Sequence, residues 1–294
     1  MTDNSASAPA TENGLPTTLA DMFGLNGKVA LVLGGGFGMG QTTCNWLASL
    51  GCDVIVADLS IERATFVAGE IRARGRRAHV AVGDLSDFDN VDALLRAGEA
   101  ELGGIDIVVS IVGQAAWYSF LDVTIEQWRT DQRINLECFV YASQWVARSM
   151  VRRGVFGSIC AISSIDGMQG APTHSGYGAA KAGMISLVKS MAVELGQYGI
   201  RVNCIAPGSI NTPRSIDKFG PDGKDAICRQ NGVPLGRAGT PTEISAAIAY
   251  LVSDMASYVT GVCLPVDGGW TASRLDGAKY INSTTTQLPF GSKK

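Results

Sequence analysis

The chain reads as an α/β protein built on one doubly wound parallel sheet flanked by helices. Short apolar runs alternate along it with longer segments of helical period. A glycine cluster, Gly34-Gly35-Gly36-Phe37-Gly38-Met39-Gly40, falls between the first such run and the first such helix. No repeat or low-complexity linker interrupts the alternation, so 294 residues that are 46 % hydrophobic supply a single core.

Residues 1–27, rich in Ser, Thr, Ala and Asn and without periodicity, read as a flexible arm, with order beginning at Lys28. Val29 to Leu33 is uninterruptedly apolar, as a strand covered on both faces requires. The glycine turn comes next, then a helix over 41–50. Glycine lets the backbone turn tightly and approach a pyrophosphate, whose charge then meets the free N–H groups of the helix start. Gly34, Phe37, Gly38, Met39 and Gly40 are therefore candidate dinucleotide contacts, on the spacing G-x-x-x-G-x-G rather than the commoner G-x-G-x-x-G of a Rossmann-type turn. The run 53–58 is a second strand that ends in Asp58, with Leu59 beside it. Such an acid, about 20 residues past the glycines, accepts hydrogen bonds from the adenosine ribose and repels a 2′-phosphate. No Lys or Arg lies in the glycine turn, so NAD is favoured over NADP.

Helix 61–74, strand 77–82, helix 86–102 and strand 105–109 continue the pattern. Asp84 and Leu85 follow the third strand, where the adenine end of a ligand would lie; capping by Ser86 and Asp87 is the plain alternative. An amphipathic helix over 131–151 carries Asn135 near its start, and a strand from Ser158 leads to Ser164. A helix over 175–197 carries Tyr177 and Lys181. Strand 201–206 runs into Pro207, Gly208, Ile210 and Thr212. Residues 214–239, polar and weakly periodic, suit a mobile lid. Thr240 as cap and Pro241 at the first position then start a helix, and 262–266 is the last strand. The domain so defined spans 28–270, with 271–294 an extension beyond it.

A net charge of −3 argues against nucleic acid or an anionic membrane as an obligatory partner. The first 27 residues lack the basic start and apolar run of a secretory signal, and nothing approaches the length of a membrane span. Seven scattered cysteines without a C-x-x-C pair read as reduced core thiols of a cytoplasmic protein. Two histidines, neither beside a cysteine, make a metal site improbable.

Tyr177 and Lys181 lie four residues apart and so project from one face of their helix. A phenol titrates near pH 10, and lowering it by roughly three units takes about 4 kcal/mol. A neighbouring ammonium and a cationic nicotinamide ring can together supply that. Ser164, ending the preceding strand, can donate to a substrate oxygen. The set reads as a proton-transfer site for an alcohol or ketone.

With these residues in order, the chain resembles the short-chain dehydrogenase/reductase family over 28–270. The resemblance rests on the glycine turn, Asp58, Asp84, Asn135, Ser164, Tyr177-x-x-x-Lys181, Asn203, Pro207-Gly208, Thr212 and Asp267-Gly268-Gly269. It implies that Tyr177 is the acid/base and that Lys181 lowers its pKa and binds the nicotinamide ribose. Ser164 would polarise the substrate oxygen, and Asn135 would hold a water linking Lys181 to solvent. Two positions depart from the family: Leu33 replaces a threonine, and Ser110-Ile111-Val112-Gly113 replaces Asn-Asn-Ala-Gly, leaving Ser110 as a shorter cofactor contact. The resemblance also implies a homotetramer or homodimer through helices 131–151 and 175–197, with strand 262–266 at a second axis.

Trp117, Tyr118, Phe120, Met168 and Gln169 should surround the substrate, and their character suits a hydrophobic secondary alcohol, cyclic or steroid-like in shape. His174 reads as a solvated loop histidine at the mouth of that pocket. A 3-oxoacyl thioester reductase is the alternative within the family, for which Arg148, Arg152 and Arg153 are the basic positions able to meet an acidic carrier. A non-catalytic dinucleotide-binding protein is the remote alternative, opposed by the presence of all four residues of the site.

Overall fold

The computed structural model describes residues 18–273. Seven strands form one parallel sheet: β1 (Val29–Leu33), β2 (Asp53–Asp58), β3 (Ala78–Val82), β4 (Ile107–Ser110), β5 (Ser158–Ile162), β6 (Arg201–Pro207) and β7 (Cys263–Val266). Their order is β3-β2-β1-β4-β5-β6-β7. The chain reverses its direction of winding between β1 and β4, which leaves a crevice at the carboxyl ends of those two strands.

Every residue of β1 is buried, and its side chains divide by alternation. Val29, Leu31 and Leu33 pack in one layer, beneath α4 (Phe88–Leu102), α6 (Cys138–Arg153) and α7 (Ser175–Leu195). Ala30 and Val32 pack in the other, beneath α2 (Met39–Ser49), α3 (Ile61–Ala73) and α10 (Pro241–Val252). A buried Thr43–Ser245 hydroxyl pair, 3.0 Å apart, joins α2 to α10. α10 starts as the sequence predicts: Thr240 and Glu243 form a reciprocal capping box with Pro241 at the first turn.

Three stretches differ from the sequence-based expectation. Order begins before Lys28: Thr18 caps a short helix, α1 (Leu19–Phe23), and Leu25 is buried against the second layer. The expected helix over 131–151 is two, α5 (Ile125–Gln132) and α6, joined by a π-helical turn Arg133–Glu137 that carries Asn135. Thr124 and Gln127 form a capping box that starts α5, a signal that sequence periodicity alone passed over. The expected lid holds α8 (Pro213–Phe219) and α9 (Gly223–Gln230), with Cys228 and Val233 in a small core of their own. The readings of 1–17 and 274–294 fall outside the described residues. Among the described residues, no helix is long and apolar enough to cross a membrane.

Candidate active site

The glycine turn is built by backbone donation into β2. Gly34 and Gly35 give their N–H groups to the Ala57 carbonyl at 2.8 and 3.0 Å, and Gly36 gives its own to Asp58 Oδ2 at 2.9 Å. Gly34 and Gly38 hold φ of 79° and 58°, a region that costs a side-chain-bearing residue energy. Gly40 has a different reason: a Cβ there would lie 1.9 Å from the Gly34 carbonyl oxygen, so only glycine lets α2 begin under the turn. No side chain caps the first turn of α2, where Gly40 N already donates to the Phe37 carbonyl at 3.1 Å.

This turn forms one wall of a groove of about 450 Å³. Of the expected cofactor residues, Gly34, Phe37, Gly38, Met39, Asp58, Leu59, Asp84, Leu85 and Thr212 line it. Gly40, Ser110 and Ile210 do not: Gly40 packs beneath the turn, and Ser110 and Ile210 are buried. Pro207 closes β6 and Gly208 packs on Asp267, so both lie behind the wall. Asp58 lies at the end of β2, its oxygens accepting from Gly36 N and from Ser60 N at 3.0 Å. Asp84 accepts from Ser86 N at 2.8 Å, which holds its carboxyl below the usual range.

Sequence reasoning overlooked two cations of this groove. Arg63, on the first turn of α3, lies 3.5 Å from Asp58 and over the Phe37 ring at 5.8 Å. Arg214, on the first turn of α8, shares the groove with Gly38 and Thr212. Position in the first turn of the helix after each motif was the available signal. Uncapped helical N–H groups, a held ribose-side carboxylate and a cation near the turn fit a dinucleotide, whose pyrophosphate would meet α2 and Arg214 and whose ribose would meet Asp58.

Ser164, Tyr177, Lys181 and Asn135 converge at the carboxyl ends of β4 and β5. Ser164 caps a short 3-10 turn after β5, accepting Asp166 N at 3.1 Å, close enough to act on the Tyr177 hydroxyl. Ser163 is structural: its Oγ donates to the Lys181 carbonyl at 2.9 Å. Lys181 is 2 % exposed, and its Nζ donates to the Ile162 carbonyl at 2.7 Å. Nζ stands 5.6 Å from the Tyr177 ring centroid. Asn135 is fully engaged, accepting Gln114 N at 2.9 Å and donating to the carbonyls of Gln114 and Asp131 at 3.0 Å. Gly113 separates Asn135 from Lys181: a Cβ there would lie 3.0 Å from Asn135 Oδ1 and 3.3 Å from Nζ.

The protein by itself does not lower the phenol. Burial pushes Tyr177 up to about 12, a rise that Ser164 opposes only in part and Asp166 reinforces. Burial also brings the Lys181 ammonium down to about 8. The lysine is the neighbouring ammonium expected from sequence, and its Nζ is directed to a backbone carbonyl.

The residues expected to surround the substrate lie mostly at the surface, and none of them lines the groove beside the glycine turn. Trp117 is 65 % exposed, Phe120 and Met168 are exposed, Gln169 is exposed and Tyr118 half-buried. His174 corrects the expectation most sharply, since it is buried, not solvated: Nδ1 sits 2.8 Å from Asp166 Oδ2 and its ring 3.8 Å from that of Trp117.

A parallel Rossmann-type sheet with a Ser–Tyr–Lys–Asn cluster at its carboxyl edge has the form of a nicotinamide-dependent oxidoreductase acting on CH–OH groups. The comparisons agree. A family model described as enoyl-(acyl carrier protein) reductase matches residues 35–271. Cis-4-hydroxycyclohexanecarboxylate dehydrogenase of Sinomonas cyclohexanicum is 38 % identical over 83 % of this chain and 97 % of its own. L-rhamnose 1-dehydrogenase (NAD(P)(+)) of a Sphingomonas species is 35 % identical over 83 % of this chain and 96 % of its own. The crystal structure of carveol dehydrogenase from Mycobacterium avium, in complex with NAD, superposes with a TM-score of 0.79 at 29 % identity, covering 84 % of this chain and 99 % of that one. The chain belongs to the short-chain dehydrogenase/reductase family.

Proposed function

We propose that this enzyme interconverts a hydrophobic, ring-borne secondary alcohol and its ketone, using NAD. The convergence of Ser164, Tyr177, Lys181 and Asn135 carries the reading. The Ser164 hydroxyl donates to the substrate oxygen, and Tyr177 takes the alcohol proton as the hydride leaves carbon. When bound, the nicotinamide exchanges that hydride, and its oxidised ring adds the positive charge that draws the phenol down from about 12. Without that positive charge the phenol stays protonated, which is the form that ketone reduction needs. Lys181 binds the nicotinamide ribose and supports the same charge balance.

Two relatives whose printed names carry a six-membered ring alcohol, the cyclohexanecarboxylate and carveol enzymes, support a cyclic substrate. The exposed aromatic residues support an apolar one. Asp58 supports NAD over NADP. The thioester alternative loses ground because Arg153 is engaged with Glu99 and Asp106, leaving Arg148 and Arg152 as the basic pair on α6. We also infer self-association, in pairs or tetramers: Val140 and Val151 of α6 are exposed along a groove shared with α7, where Val193 is exposed too, and β7 is an edge strand. Seven free thiols among the described residues support a reducing, cytoplasmic setting.

A panel of cyclohexanols, terpenoid alcohols and sugars, followed by NADH formation, tests the substrate class; sugars oxidised in preference to ring alcohols would overturn it. Tyr177→Phe should lower kcat at least ~100-fold with NAD affinity kept within a few-fold.

A further inference from the structure

Residues 209–212 leave the sheet as a strap between β6 and α8. Just before it, Gly208 N still donates to the Val266 carbonyl of β7 at 3.1 Å. At its far end the strap lies over the glycine turn: a Cβ on Gly38 would meet Thr212 Cβ at 3.8 Å and Pro213 Cδ at 3.9 Å. Arg214 follows, and with Thr212 it lines the groove. Where the strap sits therefore decides where two polar residues of that wall stand.

Two adjacent charged residues on the first turn of α9 grip it. The Ile210 carbonyl accepts from Thr212 N at 3.0 Å, Ser215 Oγ at 3.2 Å and Lys224 Nζ at 2.7 Å. Thr212 and Ser215 belong to the strap and to α8, so their bonds fold the segment on itself and would travel with it. Lys224 comes from another helix and ties it down. Burial holds this half-buried ammonium below its usual range, and a charged donor binds a carbonyl about twice as strongly as a neutral one. Asp225 supplies the second grip: its Oδ1 accepts Asn211 Nδ2 at 3.1 Å and Ala238 N at 2.9 Å. That one oxygen joins both sides of an isolated bridge, in which Asn211 N donates to the Gly239 carbonyl at 2.8 Å and Gly239 N to the Ser209 carbonyl at 2.9 Å.

We propose that Lys224 and Asp225 are positioning residues for the cofactor, a clasp on α9 that holds the strap over the glycine turn and so sets Thr212 and Arg214 at the diphosphate end of the groove. The proposal rests on a dinucleotide lying in that groove with its pyrophosphate at Arg214. The adenosine end is built elsewhere, by Asp58 at the close of β2, whose carboxylate bonds go to Gly36 N and Ser60 N and not to the strap. A ligand with a diphosphate should feel the clasp, and adenosine alone should not.

Calorimetric titration of the full-length protein with NAD and with adenosine tests this. Lys224→Met should weaken NAD about tenfold and leave adenosine within about twofold, a split that general loosening of the fold does not produce. Arg214→Ala should also weaken NAD. Lys224→Met added to Arg214→Ala should then cost less than about threefold more, because the clasp acts through a residue already removed. Thermal melting shows that each variant folds; should Lys224→Met fail to fold, Asp225→Ala carries the test, with the same split and the same coupling expected. Unchanged NAD affinity in the clasp variant, equal losses for NAD and adenosine, or a full further loss in the double variant overturns the proposal and leaves the groove reading standing. If Arg214→Ala binds NAD as tightly as the unsubstituted protein, the placement of the pyrophosphate itself falls, and the clasp falls with it.

Discussion

Lys181 carries an ammonium to a place with one carbonyl for company. Lowering its pKa from 10.5 to about 8 corresponds to roughly 3 kcal/mol against the folded state. The sign follows from the direction: the cost is full below pH 8 and fades as pH rises toward 10.5, where the unfolded chain also loses the proton. The hydrogen bond to Ile162 offsets only about 1 kcal/mol of it. Lys181→Met should therefore abolish turnover while leaving Tm at pH 7 unchanged or higher, and the gain should vanish in melts above about pH 10. A clear fall in Tm at pH 7 would contradict the burial argument. Asp58 and Arg63 form the other residue-scale balance, an acid that repels a 2′-phosphate with a half-exposed cation 3.5 Å away. Asp58→Asn removes the repulsion and frees the cation, so kcat/KM with NADP relative to NAD should rise about tenfold or more, worth ~1.4 kcal/mol. Adding Arg63→Ala should reverse the gain; an unchanged cofactor ratio in Asp58→Asn would sink this account. Tyr177, Lys181 and Asp58 were legible in the sequence because spacing and chain order mark them. Arg63, Arg214 and His174 were not, since each acts on a neighbour that only folding brings close.

At the scale of elements, the glycine turn and α2 behave as one part. The Gly34 carbonyl occupies the space a side chain on residue 40 would need. Gly40→Ala should push α2 off the turn, weakening NAD binding by more than tenfold in a calorimetric titration and costing about 1–3 kcal/mol of stability. Native-like affinity would show that the turn can yield. The π-helical turn at Arg133–Glu137 illustrates a limit of sequence reading. Its extra residue rotates Asn135 so that the side chain bridges Gln114 and Asp131, yet no residue type in that stretch announces a π turn. The short helices of 213–230 were missed for a related reason: too brief to show a period, they are stabilised by the Thr212 cap and by packing around Cys228.

At the scale of the molecule, the exposed valines of α6 and α7 set an expectation for assembly. If the two helices meet their copies, Val140→Asp should convert the species seen by light scattering to a smaller one, with Tm lowered in a concentration-dependent way. An unaltered mass would place the interface elsewhere. The sheet order explains how distant motifs reach one edge: crossing over from β3 to β4 sets the glycine turn after β1 and Ser164 after β5 on the same carboxyl edge, with β4 between them, although more than a hundred residues separate them. Local pattern was enough to determine the strands, the winding and which residues to place together as a candidate proton-transfer site, because hydrophobic period and motif spacing are properties of neighbours along the chain. Tertiary structure alone decided the upward push on the Tyr177 phenol, the downward push on the Lys181 ammonium, the burial of His174 against Asp166 and the partners of Asn135, because desolvation and Coulomb forces depend on distances through space.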